Sequence, residues 1–401
     1  MEAKARVLEL ARAEGFATVR VARAEPLRKA FTAARAAWEE GRLADMAWMT
    51  PEWLARATDP ETFLAGAKSV IVAGLPCHSP EPDPPADSPP GARGRVARYA
   101  WGRDYHRTFE KRLRRLARAI REEFGADARA TVDYGPLLER PFALAAGMGW
   151  LGKSTMLLVP GFGPWMLLGA VATTLELEPD PRIGKTCGAC VRCIVACPTG
   201  AISPDGRIDS RLCISYHTIE NRGPIPRGLR AKFGSWVFGC DECLEGCPVG
   251  THRFESHPDF LPPTYDHAYP RLAELIGLDD EEFRRRFQGR PLMRAKRDGL
   301  VRNACVALGN VGLPEDVPAL IRALEDRSPL VRGHAAWALG RCIERFADSV
   351  APAADEARAA LEARAPLETD PWVREEIALA LTVSAPAPAA SAGPGGGPHV
   401  G

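Results

Sequence analysis

Two cysteine runs decide how this chain is read: CGACVRCIVACPTG at residues 187–200 and CDECLEGCPVG at residues 240–250. The first sets Cys187, Cys190, Cys193 and Cys197 at the spacing C-x2-C-x2-C-x3-C-P. The second adds Cys240, Cys243 and Cys247, again with proline after the last cysteine, and Cys213 stands between the two runs. Thiolates at this spacing wrap a cubane, the proline stops helix continuation, and the fourth cysteine of such a run usually crosses to the other cluster of a pair. The pattern predicts two iron–sulfur clusters. One is expected on Cys187, Cys190, Cys193 and Cys247, the other on Cys197, Cys213, Cys240 and Cys243. Structural zinc, the competing reading, prefers two C-x2-C pairs per metal, and the Cys-Pro endings argue against it. Residues 214–239 separate two ligands of the second cluster. An insertion of that size suggests a cluster brought against another cofactor or a substrate.

The rest of the chain surrounds this electron relay. Its 401 residues exceed a single ordinary domain, and 46% hydrophobic residues suffice for a sizeable core. A net charge of +1 excludes a global field that would draw the protein to nucleic acid or membrane, so any polyanion site must be a local patch. Residues 1–16 read as an amphipathic helix without the apolar core of a signal peptide, and no apolar run is long enough to span a bilayer. A cytoplasmic protein without a membrane partner is expected, with its thiols reduced and available as ligands. Cys305 and Cys342 lie in helical apolar patterns and are expected in the core.

Before the cysteines, residues 1–180 alternate helical and strand patterns, as in an α/β or α+β domain. KSVIVAGLP, residues 68–76, is a buried-strand signal, and the proline-dense stretch after it is an exposed loop. Residues 105–124 return to helix and carry seven basic residues between Arg107 and Arg121, forming either a solvated face or a polyanion surface. GMGWLGKS, residues 147–154, fits a phosphate loop by letters. It follows a helix and opens a strand, the reverse of what that motif needs, so a turn holding some other ligand through its amides and Lys153 is the better reading. Asp133 sits where a strand runs into a Gly-Pro turn. By composition it is a turn-capping residue, and in an apolar setting it is also a candidate proton donor.

After the cysteines the chain is helical and repetitive. PLVRGHAAWALGR at residues 329–341 recurs as PWVREEIALAL at residues 371–381, a pattern like HEAT repeats. Just before it lies the densest basic segment, whose Arg294, Lys296, Arg297 and Arg302 are candidate contacts for a phosphate backbone. The expected domains are residues 1–180, 181–255 and 270–383, with a disordered low-complexity tail over 384–401.

Several motifs in one order resemble the epoxyqueuosine reductase family: RYAWGRDYH (98–106), VDYGPLLER (132–140), AAGMGWLGKST (145–155), SYHTIENRGPIP (215–226), GCDECLEGCP (239–248) and GRPLMRAKRDGLVRNACVALGN (289–310). The resemblance implies an α+β multidomain fold: a nitroreductase-like cobalamin-binding α/β domain, a ferredoxin-like domain with two [4Fe–4S] clusters, and HEAT-like repeats that hold tRNA. It implies reduction of epoxyqueuosine to queuosine at the wobble position of tRNA, the last step of queuosine biosynthesis. Asp133 would be the acid that lets the epoxide oxygen leave as water. Arg56, Tyr99, Asp133, Arg140, Lys153, Ser154 and Asp241 would contact cobalamin, whose cobalt lacks a protein histidine. In keeping with this, the D-x-H-x-x-G signature fails after Asp104 and His106, because Phe109 stands in the glycine position. Expected partners are the anticodon stem-loop of a tRNA carrying epoxyqueuosine and an unidentified electron donor, with the chain a monomer. The sequence departs from the family at Tyr134, Ser154 and residues 75–77, which bears on individual contacts. The competing functions are a ferredoxin-like electron-transfer subunit that docks a protein on its repeats, and a cytoplasmic relative of reductive dehalogenases.

Overall fold

A computed structural model describes residues 2–87, 90–133, 135–250, 256–347 and 350–382. Tyr134 and the tail expected to be disordered lie outside the described residues. Eight strands occur among them: β1 (Thr18–Arg23), β2 (Ser69–Pro76), β3 (Arg95–Val96), β4 (Ala128–Thr131), β5 (Trp150–Leu151), β6 (Leu157–Leu158), β7 (Met166–Thr173) and β8 (Trp236–Phe238). The main sheet runs β1-β2-β7-β4, and every pairing in it is antiparallel. Val72 stands opposite Ala170, and Ala130 opposite Val171.

The period of two along β2 and β7 divides this sheet between two cores. Ile71, Ala73 and Val171 meet Phe109, Leu113, Leu116 and Ile120 of the helix Tyr105–Phe124. Val70, Val72, Ala170 and Ala172 meet Phe142, Ala143 and Ala146 on the opposite face. The long helix lies so close to the sheet that a Cβ on Gly169 would come within 2.6 Å of Leu113. Four of its seven basic residues are tied to the protein, among them Arg114 to Glu110 at 2.5 Å, Arg115 to Glu14 at 2.7 Å, and Arg121 to the Ala128 carbonyl at 2.5 Å. Arg112 also reaches the Glu14 carbonyl. This favours a knitted face over a polyanion surface. Strands β5 and β6 form a hairpin across the Gly152–Thr155 turn. A strand, a turn and a strand stand where a phosphate loop would need a helix.

Strand β3 pairs in parallel with β8, which joins the first part of the chain to residues 214–239. That insertion also packs into the helical repeats, for Ile225, Val237 and Phe238 share one core with Leu300, Val306, Leu339 and Ile377. Arg230 anchors it to the last helix through Glu376 at 2.7 and 2.9 Å. The repeats comprise the helices Lys296–Val311, Val317–Ala323, Pro329–Phe346, Ala351–Arg364 and Pro371–Leu381. Cys305 and Cys342 are buried among them. Among the described residues no helix is long and apolar enough to cross a membrane.

Candidate active site and cluster cavities

Short turns determine where the cysteine side chains go. The Cys190 amide bonds to the Cys187 carbonyl at 3.0 Å, and the helix Arg192–Ala196 ends at an extended Cys197 followed by Pro198. A second short helix, Glu242–Glu245, leads to Cys247 and Pro248. The outcome is a cavity of about 130 Å³ lined by Cys187, Cys190, Cys193 and Cys247. The other four thiols are also gathered. Burial raises the Cys243 thiol, and the nearby charges of Cys213 and Cys197 raise it further. Cys240 is raised by burial and then by Cys243 and Cys213. Cys193 acts on Cys243 as well, so the two groups of thiols adjoin. Among the described residues, no group of three or more His, Cys, Asp or Glu is arranged to hold a metal ion.

Asp133 stands at the other centre. Its backbone φ is +41°, a left-handed conformation that aspartate tolerates better than most residues. The loop is held tightly behind it, since a Cβ on Gly135 would fall 1.6 Å from Thr131 Oγ1. Tyr105 donates its hydroxyl to Asp133 Oδ2 at 2.6 Å, and His106 Nε2 lies 3.0 Å from the same oxygen. The other ring nitrogen of His106 lies 2.6 Å from Asp104 Oδ1, and Asp104 caps the long helix through the His106 amide. Glu139 accepts the Asp133 amide.

These contacts settle the charges. Desolvation pushes the Asp133 carboxyl up, but bonds from His106 and Tyr105 and the charge of Arg140 outweigh it, and the net direction is down. The side chain itself is 61% exposed. For His106 burial lowers the pKa, while the hydrogen bonds and charges of Asp104 and Asp133 carry it up to about 9. Burial, with the charge of Asp133 adding, pushes Glu139 up to about 8. The site at neutral pH is thus a carboxylate backed by an imidazolium and a protonated carboxyl. Asp133 is no resting acid with a raised pKa, the property expected of a lone aspartate in an apolar setting. Asp104, Tyr105, His106 and Glu139 were given no site role by the sequence, although the capping position of Asp104 ahead of a helix was a signal for the first three.

The other candidates divide. Tyr99 is raised by burial and then by Asp133, and its ring lies 6.0 Å from that of Tyr105. Arg140 bonds the Thr155 carbonyl at 2.9 Å, and its charge acts on Asp133. Arg56 is exposed on the helix Pro51–Ala57, whose Ala57 carbonyl accepts the Leu138 amide at the end of the Asp133 loop. Lys153 and Ser154 line the first cysteine cavity instead, with Lys153 Nζ on the Gly188 carbonyl at 3.0 Å. Asp241 departs from expectation. It is 4% exposed, its carboxylate accepts the Arg98 amide at 2.7 Å, and burial raises it to about 6, so it offers no open side chain to a cofactor.

The basic segment also needs correction. Arg302 is 1% exposed, with its guanidinium on the carbonyls of Asn221 and Gly223 at 2.9 and 2.8 Å and on that of His217. Burial brings its pKa down to about 9. Arg297 pairs with Asp326 at 2.5 Å and has a side chain only 10% exposed. Arg302 faces no polyanion, and Arg297 borders a polar groove with its guanidinium engaged by Asp326. Arg294, 55% exposed, pairs with Glu220 at 2.9 Å, and its charge lies within reach of Asp133. Lys296 is exposed and lines a polar groove of about 380 Å³ together with Arg222 and Arg327.

A sheet domain with one proton-handling centre, two adjoining thiol groups and a helical repeat stack define a multidomain iron–sulfur oxidoreductase. Family models agree region by region: epoxyqueuosine reductase QueG, DUF1730, over residues 57–134, a 4Fe-4S double cluster binding domain over 186–250, and HEAT repeats over 292–382. The chain is 38% identical to the epoxyqueuosine reductase of Xanthomonas campestris over 85% of its own length and 96% of that protein. It matches a crystal structure of epoxyqueuosine reductase with an epoxyqueuosine-modified tRNA-Tyr stem loop at a TM-score of 0.85 and 27% identity, over 95% of this chain and 98% of that one. It matches a Bacillus subtilis epoxyqueuosine reductase, described with an aspartate-bearing catalytic loop swung out of the active site, at the same TM-score and identity over 95% and 99%. This chain belongs to the epoxyqueuosine reductase family.

Proposed function

We propose that this protein reduces epoxyqueuosine to queuosine at the wobble position of tRNA, as the last step of queuosine synthesis, with Asp133 delivering the proton to the epoxide oxygen. The observation that carries the reading is the exposed Asp133 carboxylate with its donors Tyr105 and His106, in a chain of this family. Removing an epoxide oxygen as water consumes two electrons and two protons. An alkoxide is a poor leaving group, so the proton must arrive as the carbon–oxygen bond opens.

The residues fit the metal groups that this reaction requires. Cys187, Cys190, Cys193 and Cys247 would hold one [4Fe–4S] cluster, and Cys197, Cys213, Cys240 and Cys243 the other. The four-thiol cavity and the grouping of the remaining thiols support this. Clusters that adjoin pass single electrons onward. Cobalamin, when bound, supplies a strongly nucleophilic, low-potential cobalt. Its fit rests on the donor set around Asp133, where both ring nitrogens of His106 are engaged by carboxylates and no imidazole is offered to cobalt there. Arg56, Tyr99 and Arg140 on the Asp133 side, with Lys153 and Ser154 in the hairpin turn, are the residues that would hold the corrinoid.

The anticodon stem-loop would lie against Arg294 and Lys296, with Arg222 and Arg327 of the polar groove, which Arg297 borders while engaged by Asp326, and without the buried Arg302. The charge of Arg294 brings this surface to the Asp133 centre. The proposed domains are residues 1–180, 181–255 and 270–383, in a cytoplasmic monomer fed by a separate electron donor. The test is turnover of a synthetic anticodon stem-loop bearing epoxyqueuosine by protein reconstituted with iron, sulfide and cobalamin under a strong reductant. Loss of one oxygen from the nucleoside, only when cobalamin is present, is expected. Unaltered nucleoside from fully loaded protein would overturn the reading.

A further inference from the structure

The charges at Asp133 pose a problem. A carboxylate that accepts two hydrogen bonds and has its pKa lowered holds no proton of its own at neutral pH, yet each turnover needs two. The imidazole of His106 lies behind it, bracketed by carboxylates on both nitrogens, at 2.6 Å from Asp104 and 3.0 Å from Asp133. Its position is fixed from three sides. The ring stacks on Tyr105 at 4.0 Å between centroids, Asp104 is bound to the His106 amide, and Tyr105 shares the Asp133 oxygen. The side chain is 25% exposed, so its edge reaches solvent while Asp133 faces outward at 61%.

We infer that His106 is the proton-holding partner of Asp133, and that both protons consumed in removing the epoxide oxygen pass along the row from His106 to Asp133. This rests on the proposed epoxide reduction. In the first transfer, a proton passes from His106 Nε2 through Asp133 to the oxygen as one carbon–oxygen bond breaks, which leaves Asp133 a carboxylate again and His106 neutral. Asp104 keeps the Nδ1–H in place, so the neutral ring holds its orientation and regains a proton from solvent at Nε2. The second transfer repeats the first as the remaining carbon–oxygen bond breaks. The oxygen leaves as water, a double bond forms between the two ring carbons that carried it, and the two electrons come from the reduced metal centres. Asp104 is a positioning residue in this scheme. Other charged or titratable groups face the row: Arg107 on the same helix, Tyr99, Glu139 and Arg140 behind Asp133, and Arg294 at its rim. The carboxylates in direct contact dominate His106, which is raised to about 9 against the opposing effect of burial.

The test has two arms. The first is NMR titration of histidine-labelled protein, whose eight histidines are few enough to assign, with His106→Gln identifying the signal. The His106 resonance should titrate near 9 in the native chain and fall by about one to two units toward the ordinary histidine value in Asp133→Asn and in Asp104→Asn. A native His106 that titrates at the ordinary value, or that ignores both substitutions, overturns the inference whatever the substrate proves to be. The second arm is turnover. His106→Gln should retain clusters, cobalamin and RNA affinity while losing roughly 100-fold in rate. Its pH profile should change shape, rising steadily with acidity where the native profile is flat below about 9. Imidazole added to His106→Gly should restore part of the rate. A His106→Gln rate within twofold of native, or a profile lowered without changing shape, contradicts the relay. If the native protein leaves the epoxide untouched, the functional reading fails, and the titration still decides the role of His106. Should His106→Gln fail to fold, Asp104→Asn carries both arms.

Discussion

The cysteine module and the basic segment before the repeats both look functional by residue type, and they behave in opposite ways once folded. In the module, spacing is geometry: two-residue gaps turn each thiol inward, and four of the eight meet in one cavity. In the basic segment, spacing says little about what a guanidinium meets. Arg294 and Lys296 face outward, whereas Arg297 and Arg302, a few residues on, are closed off by Asp326 and by backbone carbonyls. A ligand set has to satisfy one centre, so its pattern is self-checking. A run of arginines serves equally well as an RNA surface or as internal bracing. At Arg302 it is bracing, because the guanidinium closes the carbonyl ends of the 214–239 insertion against the repeat stack.

Substitutions that separate ligand from brace would sharpen this contrast. The largest effect is expected in the module. Cys193→Ser or Cys243→Ser should remove a cluster and essentially all reduction, read as lost iron and lost visible absorbance, and a variant with both clusters intact would break the assignment. Next is Arg302→Ala, which leaves several buried carbonyls without a donor and should cost about 3 kcal/mol of stability. Urea unfolding would show it as a lower midpoint at unchanged slope, and RNA affinity of the folded fraction should not move. Arg294→Glu and Lys296→Glu should do the reverse, weakening stem-loop binding roughly fivefold each and flattening its salt dependence by just under one unit per residue, while stability holds. Smallest is Arg114→Ala on the long helix. Its guanidinium is 70% exposed beside Glu110, so thermal unfolding should register about 0.5 kcal/mol or less.

Much of the fold was legible because local patterns carried it. The apolar run at residues 68–76 became a fully buried strand, and apolar residues at helical spacing placed the helix Tyr105–Phe124. The repeats were visible because a V-R pair followed by apolar residues at helical spacing recurs at 331–339 and 373–381. Less was legible wherever partners are distant in sequence. Strand direction is not written in alternation, so the antiparallel order β1-β2-β7-β4 had to be seen, as did the parallel join of β3 to β8. The same holds at the candidate site. Asp133 could be singled out alone, but its companions come from a helix start 27 residues earlier, and they meet it because β4 lies beside that helix. Asp241, expected as a cobalamin contact, accepts the Arg98 amide, a partner also distant in sequence.

The account depends most directly on Asp133 as the group that hands a proton to the epoxide oxygen. The measurement is single turnover of the epoxyqueuosine stem-loop by Asp133→Asn, loaded with both clusters and cobalamin and reduced before mixing. The account predicts native cluster and corrinoid spectra, native RNA affinity, and queuosine formation slowed by about 100-fold or more. Queuosine formed at the native rate by that variant would contradict it.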